Sequence, residues 1–162
     1  MKIEQWEIER VKPYEKNPRR NDKAVEAVAK SIDAYGFRQP IVVDKDGVIV
    51  VGHTRYKAAV KLGLKKVPVH VAADLSPQQA RAYRIADNRT NETAEWDIDL
   101  LPIELGELRD DGADLKLLGF TDKELAEYLR EFDTDLEGGE GDAEGTAETV
   151  RCPKCGHEFP LE

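Results

Sequence analysis

Short runs of β-branched residues alternate with helix-forming stretches through residues 1–95. Residues 25–32 place apolar side chains at helical spacing, and Gly36 follows as a helix C-terminal residue. The mixed order of short strands and helices predicts the α+β (mixed α/β) class. Strands are predicted at residues 3–11, 41–43, 48–51 and 67–71. Helices are predicted at 21–35, at 53–62 and from 77 to an end within 86–91.

The pattern changes after Trp96. One amphipathic helix is predicted behind Asp97, with an apolar stripe of Ile98, Leu101, Leu105 and Leu108. A second is predicted behind a capping box formed by Thr121 and Glu124. We expect these helices, a helical extension over residues 96–132, to cover the first domain or a partner chain, since neither is basic enough to bind DNA.

The next stretch, residues 133–150, holds seven acids, four glycines and no Lys or Arg. This composition predicts a disordered acidic linker. The predicted organisation is therefore a domain at 1–95, the helical extension at 96–132, the linker at 133–150 and a short tail at 151–162.

Charge divides the chain in the same way. The 162 residues carry a formal charge of −9. Residues 1–95 hold 18 Lys and Arg against 13 Asp and Glu, whereas residues 96–162 hold 6 against 20. The basic half is therefore where an anionic ligand is expected. No signal-peptide h-region and no membrane-length apolar run is present, so we expect a cytoplasmic protein without a membrane partner.

The chemistry of the basic half centres on the junction at Gly52. An apolar strand signal ends there and a helix signal begins at once. The first N–H groups of a helix lack intrahelical partners and carry partial positive charge, which favours a bound anion such as phosphate. Arg55 and Lys57 would add charged donors. The alternative is a junction that only packs. Likewise, Arg19 and Arg20 of the proline-containing opening loop are either phosphate ligands or solvated, and His70 is interpreted as a structural strand residue.

The tail carries a second candidate site. Cys152 and Cys155 flank a Pro-Lys dipeptide, and Gly156 and His157 follow. Such a turn directs two thiolates to one point, as in a zinc knuckle. Because tetrahedral Zn²⁺ needs four ligands, this incomplete set requires a second copy or another protein. A redox pair and a vestigial finger are the alternatives.

Four segments in order resemble the ParB N-terminal domain of the ParB/sulfiredoxin superfamily. They are residues 36–43 (Gly-Phe-Arg-Gln-Pro-Ile-Val-Val), 52–58 (Gly-His-Thr-Arg-Tyr-Lys-Ala), 86–89 (Ala-Asp-Asn-Arg) and the opening loop at 17–19 (Asn-Pro-Arg). The resemblance covers roughly residues 1–95. It is strongest to the ParB-like domains of phages and mobile elements that are associated with DNA methyltransferases.

The resemblance implies a site for a nucleotide, CTP or ATP, with Mg²⁺. The segment at 36–43 would lie near base and sugar, the segment at 52–58 would hold phosphates, and the segment at 87–89 would contact triphosphate and metal. A ligand-dependent homodimer is implied as well. The implied nucleotide-binding residues are Arg38, Gln39, Gly52, His53, Thr54, Arg55, Tyr56, Asn88 and Arg89, with Asn88 also as a Mg²⁺ ligand.

The chain departs from the family's pattern in ways that bear on catalysis. His53 stands where partition proteins have a carboxylate linked to hydrolysis and where sulfiredoxins have the catalytic Cys. With no thiol before Cys152, sulfinic acid reduction is excluded. His53 and Asp87 are the candidate catalytic residues, and His53 is either a general base or a neutral hydrogen-bonding residue. We also expect no helix-turn-helix module after the first domain, because residues 96–132 lack a basic recognition helix.

Two functional hypotheses remain. The first is a ParB-like nucleotide-binding module that acts in DNA partition, modification or packaging of a phage or mobile element, with DNA or a DNA-modifying or packaging protein as partner. The second is an enzyme of the same superfamily, a nucleotide-dependent phosphotransferase or a nuclease. The enzyme needs a base or carboxylate beside the phosphates, and His53 and Asp87 are its best candidates.

Overall fold

The computed structural model describes residues 1–138, 149–151 and 158–160. Within them the chain forms a four-stranded sheet, a two-stranded sheet and five α-helices, which confirms the mixed α/β class. No helix in these described ranges is long and apolar enough to span a membrane. The strands are β1 Glu4–Glu7, β2 Ile41–Val43, β3 Ile49–Val51, β4 Lys66–Val71, β5 Thr149–Arg151 and β6 Glu158–Pro160, and the helices are α1 Asp22–Tyr35, α2 His53–Lys61, α3 Pro77–Asn91, α4 Leu100–Asp110 and α5 Asp122–Gly138.

The larger sheet has the order β1-β4-β2-β3. Strands β2 and β3 form an antiparallel hairpin, with Val42 opposite Val51. Helix α2 then crosses over, and β4 returns parallel to β2. The apolar side chains of these β-branched strands are buried in a core that α2 closes with Ala59. This core fixes the end of β3 and the start of α2 relative to each other.

The opening strand is shorter than predicted. It ends at Glu7, and a 3-10 helix over Ile8–Arg10 follows instead of further strand. The turn forms because the N–H of Ile8 donates to the Lys65 carbonyl, after which the N–H of Val11 donates back to the Ile8 carbonyl. Val11 is still buried, so its apolar side chain indicated a position in the core, although the residue lies outside the strand.

Helix α3 begins as its sequence predicts. The Ser76 Oγ accepts the N–H of Gln79, and the Gln79 side chain accepts the N–H of Ser76, which is a complete capping box. The helix ends at Asn91, within the predicted range of 86–91. Residues 87–89 therefore lie on a regular helical surface.

Helices α4 and α5 build a core of their own. Leu101, Leu105, Leu115 and Leu125 are buried together, and Phe120 and Tyr128 pack against them. The extension was expected to cover the first domain. Its contact with that domain is small and is made by the 3-10 helix Leu115–Leu117, which packs against α1. The apolar stripe predicted for α4 is wrong at its N-terminal end, because Ile98 precedes the helix and is 71% exposed.

Helix α5 continues to Gly138, six residues past the predicted end of the extension at residue 132 and into the range assigned to the linker. Buried Phe132 and a two-bond ion pair between Arg109 and Asp133 hold this part of the helix against α4. The rest of the expected linker, residues 139–148, lies outside the described residues.

At the C-terminus β5 and β6 pair as antiparallel strands, with Val150 opposite Phe159. Strand β5 begins at Thr149, inside the range predicted as linker. The proposed zinc ligands Cys152, Cys155 and His157 fall between the two strands, outside the described residues. Their metal binding stays a prediction.

Candidate functional site

The junction at Gly52 has the geometry that the sequence indicates. Strand β3 ends at Val51, Gly52 has φ +105°, and α2 begins at His53. This left-handed conformation is strained for residues with a Cβ, which explains the glycine. No side chain caps the helix. The N–H groups of residues 53–55 therefore have no partners within α2 and are available to a ligand.

The N-terminus of α1 lies at the same place, which the sequence did not indicate. Its N-cap residue, Asn21, donates from Nδ2 to Oγ1 of Thr54 at 2.9 Å. An ion pair of 2.6 Å between Lys57 and Asp22 also joins α1 to α2. Lys57, expected to support an anion site, is thus paired with a carboxylate. Two helix N-termini converge, so the partial positive charges of both dipoles add at one point.

These termini form one wall of a cleft of about 400 Å³, here called the basic cleft. The opening loop and one face of α3 form the other wall. Asp87 is the single carboxylate among the described residues that line it. A cleft with this balance of charge favours an anion. Its positively charged lining residues are Arg19, Arg20, Lys23 and Arg55.

Arg55 connects the basic cleft to a second cleft of about 410 Å³. Its Nη1 donates to the carbonyl oxygens of Gln39 at 3.2 Å and Pro40 at 3.1 Å. Burial lowers the pKa of Arg55, while the charge of Asp87 raises it. The second cleft, here called the adjoining cleft, is lined by the apolar face of α1, Phe37, Arg38 and Gln39. Arg38 and Gln39 therefore lie in the adjoining cleft, and Arg55 separates them from the basic cleft.

His53 is neutral and engaged. Its Nε2 accepts the backbone N–H of Tyr14 at 3.2 Å, so its proton is on Nδ1. Burial, with the charges of Arg84 and Lys57, lowers the pKa of His53 from 6.5 to about 4. Of the two roles left open by the sequence, the hydrogen-bonding role is favoured, because a general base would need the lone pair that Tyr14 occupies.

Helix α3 places only part of the predicted segment 87–89 in the lining of the basic cleft. Asp87, Asn88 and Asn91 line it. Asn88 is already held on both sides: its Oδ1 accepts from Arg19 Nη1 at 2.8 Å and its Nδ2 donates to the Arg84 carbonyl at 2.7 Å. Arg89 turns away and pairs with Glu92 at 3.3 Å.

Tyr56 is also outside the basic cleft. It is half-buried and packs against the main hydrophobic core. Thr54 is in the cleft wall and is held by Asn21. Of the nucleotide-binding residues that the resemblance implied, Tyr56 and Arg89 thus lie outside the two clefts, and the others line one or both of them.

Arg84 is the buried support of the site and was missed as a functional residue. It is 4% exposed. Its Nε donates to the Ile49 carbonyl at 2.8 Å, Nη2 lies 3.4 Å from Asp44 Oδ2, and its guanidinium covers the Tyr14 ring at 4.1 Å. It therefore joins α3, the β-hairpin and the opening loop. A lone Arg on a helix gives no sequence signal of burial. His70, as expected, is structural, with Nδ1 3.0 Å from the Lys2 carbonyl oxygen.

No group of three or more His, Cys, Asp or Glu residues that could hold a metal occurs in the described parts of the chain. The side-chain oxygen donors of the basic cleft are the Asp87 carboxylate, the Thr54 hydroxyl and side-chain amides. Such a set fits a Mg²⁺ ion that is carried by phosphates and touched by one carboxylate, and not an all-protein metal cage.

Comparison with protein families matches two parts of the chain. The model of the ParB N-terminal domain matches residues 1–89, which contain the larger sheet and nearly all of the site. The model of the ParB-methyltransferase HTH domain matches residues 99–154, which include α4 and α5. The second match contradicts our expectation that no helix-turn-helix module follows the first domain.

Two curated proteins illustrate the similarity. The probable plasmid-partitioning protein ParB of Thermus thermophilus is 40% identical over 78 residues, which are 46% of this chain and 26% of that protein. The ParB-like nuclease domain-containing protein YnaK of Escherichia coli is 32% identical over 80 residues, 49% of this chain and 92% of that protein. The chain thus spans about a quarter of the Thermus protein and nearly all of YnaK.

Among solved structures, the C-terminally truncated chromosome-partitioning protein ParB of Caulobacter crescentus, complexed with CTP-γ-S, has a TM-score of 0.59. The alignment covers 80% of this chain and 86% of that chain at 22% identity, which shows a shared fold. The model of the ParB N-terminal domain matches more than half of this chain, and the matched residues supply nearly all of the lining of the basic cleft. This chain therefore belongs to the ParB N-terminal domain family.

Proposed function

We propose that the protein is a ParB-like module that binds a nucleoside triphosphate and acts in DNA partition, modification or packaging of a phage or mobile element. One observation carries the proposal: the N-termini of α1 and α2 meet at a cleft with four Lys or Arg side chains and one carboxylate. Helix N-termini with nearby cations are a recurrent site for phosphate groups.

The phosphates would occupy the basic cleft. The N–H groups of residues 53–55 would bind them through the backbone, and Gly52 would allow the close approach. Arg55 and Arg19 would add charge from opposite walls. Because Arg19 is held by Asn88, the opening loop is already in place before a ligand arrives.

The base and sugar would occupy the adjoining cleft. Its wall combines the apolar surface of α1 with Phe37 and the polar side chains of Arg38 and Gln39. A flat, mostly apolar ring with polar edges suits such a surface. CTP is the first candidate, since the Caulobacter ParB was solved with CTP-γ-S. ATP is the second.

Mg²⁺ would enter with the phosphates. Asp87 is the carboxylate placed to reach it or one of its waters. Asn88, the ligand that the resemblance implied, would have to release Arg19 first, since that guanidinium occupies its Oδ1. Binding of the metal would therefore be coupled to the position of the opening loop.

Nucleotide hydrolysis, the enzyme alternative, would rest on Asp87, because the lone pair of His53 is engaged by Tyr14. The single carboxylate favours a binding module that turns over slowly or not at all. Phosphate release, measured in the same mixtures as binding, separates the two.

The proposed module acts in the cytoplasm and joins nucleotide binding to DNA or to a DNA-modifying or packaging protein. The match of residues 99–154 to the ParB-methyltransferase HTH domain supports a DNA-related role. We also propose a nucleotide-dependent homodimer. Sedimentation velocity with and without nucleotide tests it, and a monomer under both conditions would contradict it.

The decisive experiment is calorimetric titration of the whole chain with CTP, ATP and GTP, each with and without Mg²⁺. Arg55→Ala should weaken binding about 10- to 100-fold, the loss expected for charged hydrogen bonds. Arg81→Ala is the matched control, since Arg81 is exposed on α3 and does not line the basic cleft. It should bind normally. Equal affinity of the Arg55 variant and the wild type, or no binding of any nucleotide to the wild type, would contradict the proposal.

A further inference from the structure

A buried side-chain amide lies between the two helix N-termini of the basic cleft. Asn21 lines the cleft and is 8% exposed. Its Nδ2 donates to Oγ1 of Thr54 at 2.9 Å. Its Oδ1 is buried and has no hydrogen-bond partner among the residues that the structure describes. One half of the amide is thus satisfied and the other half is not.

Asn21 does not perform the local role that its position offers. An Asn at a helix N-cap ordinarily accepts an N–H from the first turn, but this side chain makes no such bond. The same role is filled elsewhere in the chain, where Ser76 and Thr121 both cap their helices. Because a buried polar atom without a partner lowers stability, Asn21 is unfavourable in the ligand-free protein.

The surroundings indicate what the amide would bind. Arg19, Lys23 and Arg55 line the same cleft, so the expected ligand is an anion that needs donors. The Thr54 hydroxyl can donate as well as accept. If the amide is reversed, Oδ1 accepts from Thr54 and the NH₂ group takes the unsatisfied position. Thr54 therefore holds the amide in either orientation.

We propose that Asn21 is a ligand-binding residue, whose amide NH₂ donates to a phosphate oxygen of the bound nucleotide while Thr54 holds its oxygen. This assignment rests on the proposed nucleotide function and deepens it. It adds to the site the N-cap residue of α1, placed between the backbone N–H groups of α2 and the cations of the opening loop.

The test compares two helix-capping positions in the whole chain. Asn21→Ala should leave the thermal midpoint of the ligand-free protein nearly unchanged, because the bond to Thr54 is lost together with the unsatisfied oxygen, and should weaken nucleotide binding about tenfold. Asn21→Asp should weaken binding further, because a carboxylate cannot donate and repels phosphate. Ser76→Ala, the control, should show the opposite pattern: a lower thermal midpoint with normal binding, since Ser76 caps α3 away from the cleft.

The outcomes separate the alternatives. A lowered midpoint with normal affinity in Asn21→Ala would make Asn21 a structural cap and overturn the assignment. Tighter Mg²⁺-dependent binding by Asn21→Asp would make it an oxygen ligand of the metal and overturn the donor role. Inorganic tripolyphosphate is titrated in parallel. If the wild type bound tripolyphosphate but no nucleotide, the proposed function alone would fail; if it bound neither, both would fail.

Discussion

The ParB-like region and the helical extension use their polar residues in different ways. In the extension, described from residue 96 to 138, polar groups pair with one another: Arg109 binds Asp133 through two hydrogen bonds, and Thr121 and Glu124 form a capping box. In the ParB-like region polar groups also pair, as in the capping box at Ser76, but Gly52 leaves a helix N-terminus uncapped, and Asn21 keeps an unsatisfied oxygen. Polar groups left without protein partners indicate where a ligand binds.

Charge follows the same division. Residues 1–95 carry a formal charge of +5, and residues 96–138 hold 4 Lys and Arg against 14 Asp and Glu. The two regions also have separate hydrophobic cores. The folded chain therefore concentrates anion recognition in one region, while the other supplies an acidic surface on a separate core.

The largest expected effect comes from breaking the second core alone. At Gly106 a Cβ would lie 2.3 Å from Phe132 Cδ1, so Gly106→Ala forces the ring or the helices apart. We expect a loss of roughly 1–3 kcal/mol in the stability of the extension, the usual cost of overpacking. Nucleotide binding should not change.

The two tryptophans make this measurable, since Trp6 lies in the first core and Trp96 contacts Phe120 of the extension. Urea unfolding followed in Trp6→Phe and Trp96→Phe backgrounds reports each region separately. If Gly106→Ala shifted both transitions equally, the two cores would be one cooperative unit and the comparison would fail.

A smaller effect is expected from His53. Its folded pKa of about 4 lies below the unfolded 6.5, so the unfolded chain binds the extra proton in that interval. The stabilising contribution is complete above about pH 6.5 and is lost as pH falls toward 4. Between pH 7 and pH 5 the loss should be about 1–2 kcal/mol after allowance for solvent screening.

The measurement is urea unfolding at pH 7 and pH 5 for the wild type and for His53→Gln, which cannot titrate. The wild type should lose more stability than the variant, and the Trp6 probe should carry the difference. An equal loss in both proteins would show that His53 titrates normally and is not held by Tyr14.

The smallest effect on the nucleotide site is expected from the tail. Replacing Cys152 and Cys155 by Ser should abolish any bound Zn²⁺, measured by metal analysis of the purified protein, because both thiolates are lost. Nucleotide affinity should stay within twofold of the wild type. Zn²⁺ retained by the double variant would refute the knuckle, and altered affinity would show that the tail reaches the site.

Much of the fold was predictable because its signals are local. The capping boxes at Ser76 and Thr121, and the glycine that ends β3, each act within a few residues and appear as predicted. Errors occurred where distant contacts decide the outcome. The opening strand stops where Ile8 bonds to Lys65, and α5 passes residue 132 because Asp133 binds Arg109.

Most of the elements, the glycine junction with its uncapped helix and the division of charge follow from local sequence, because backbone conformation and composition depend on neighbouring residues. Which side chains meet at the junction depends on the tertiary structure. It brought Asn21 and Arg19 to the cleft, buried Arg84, and turned Arg89 toward Glu92. These outcomes depend on how α1, α3 and the opening loop pack against the sheet, and segments that are remote along the chain carry no local signal of that packing.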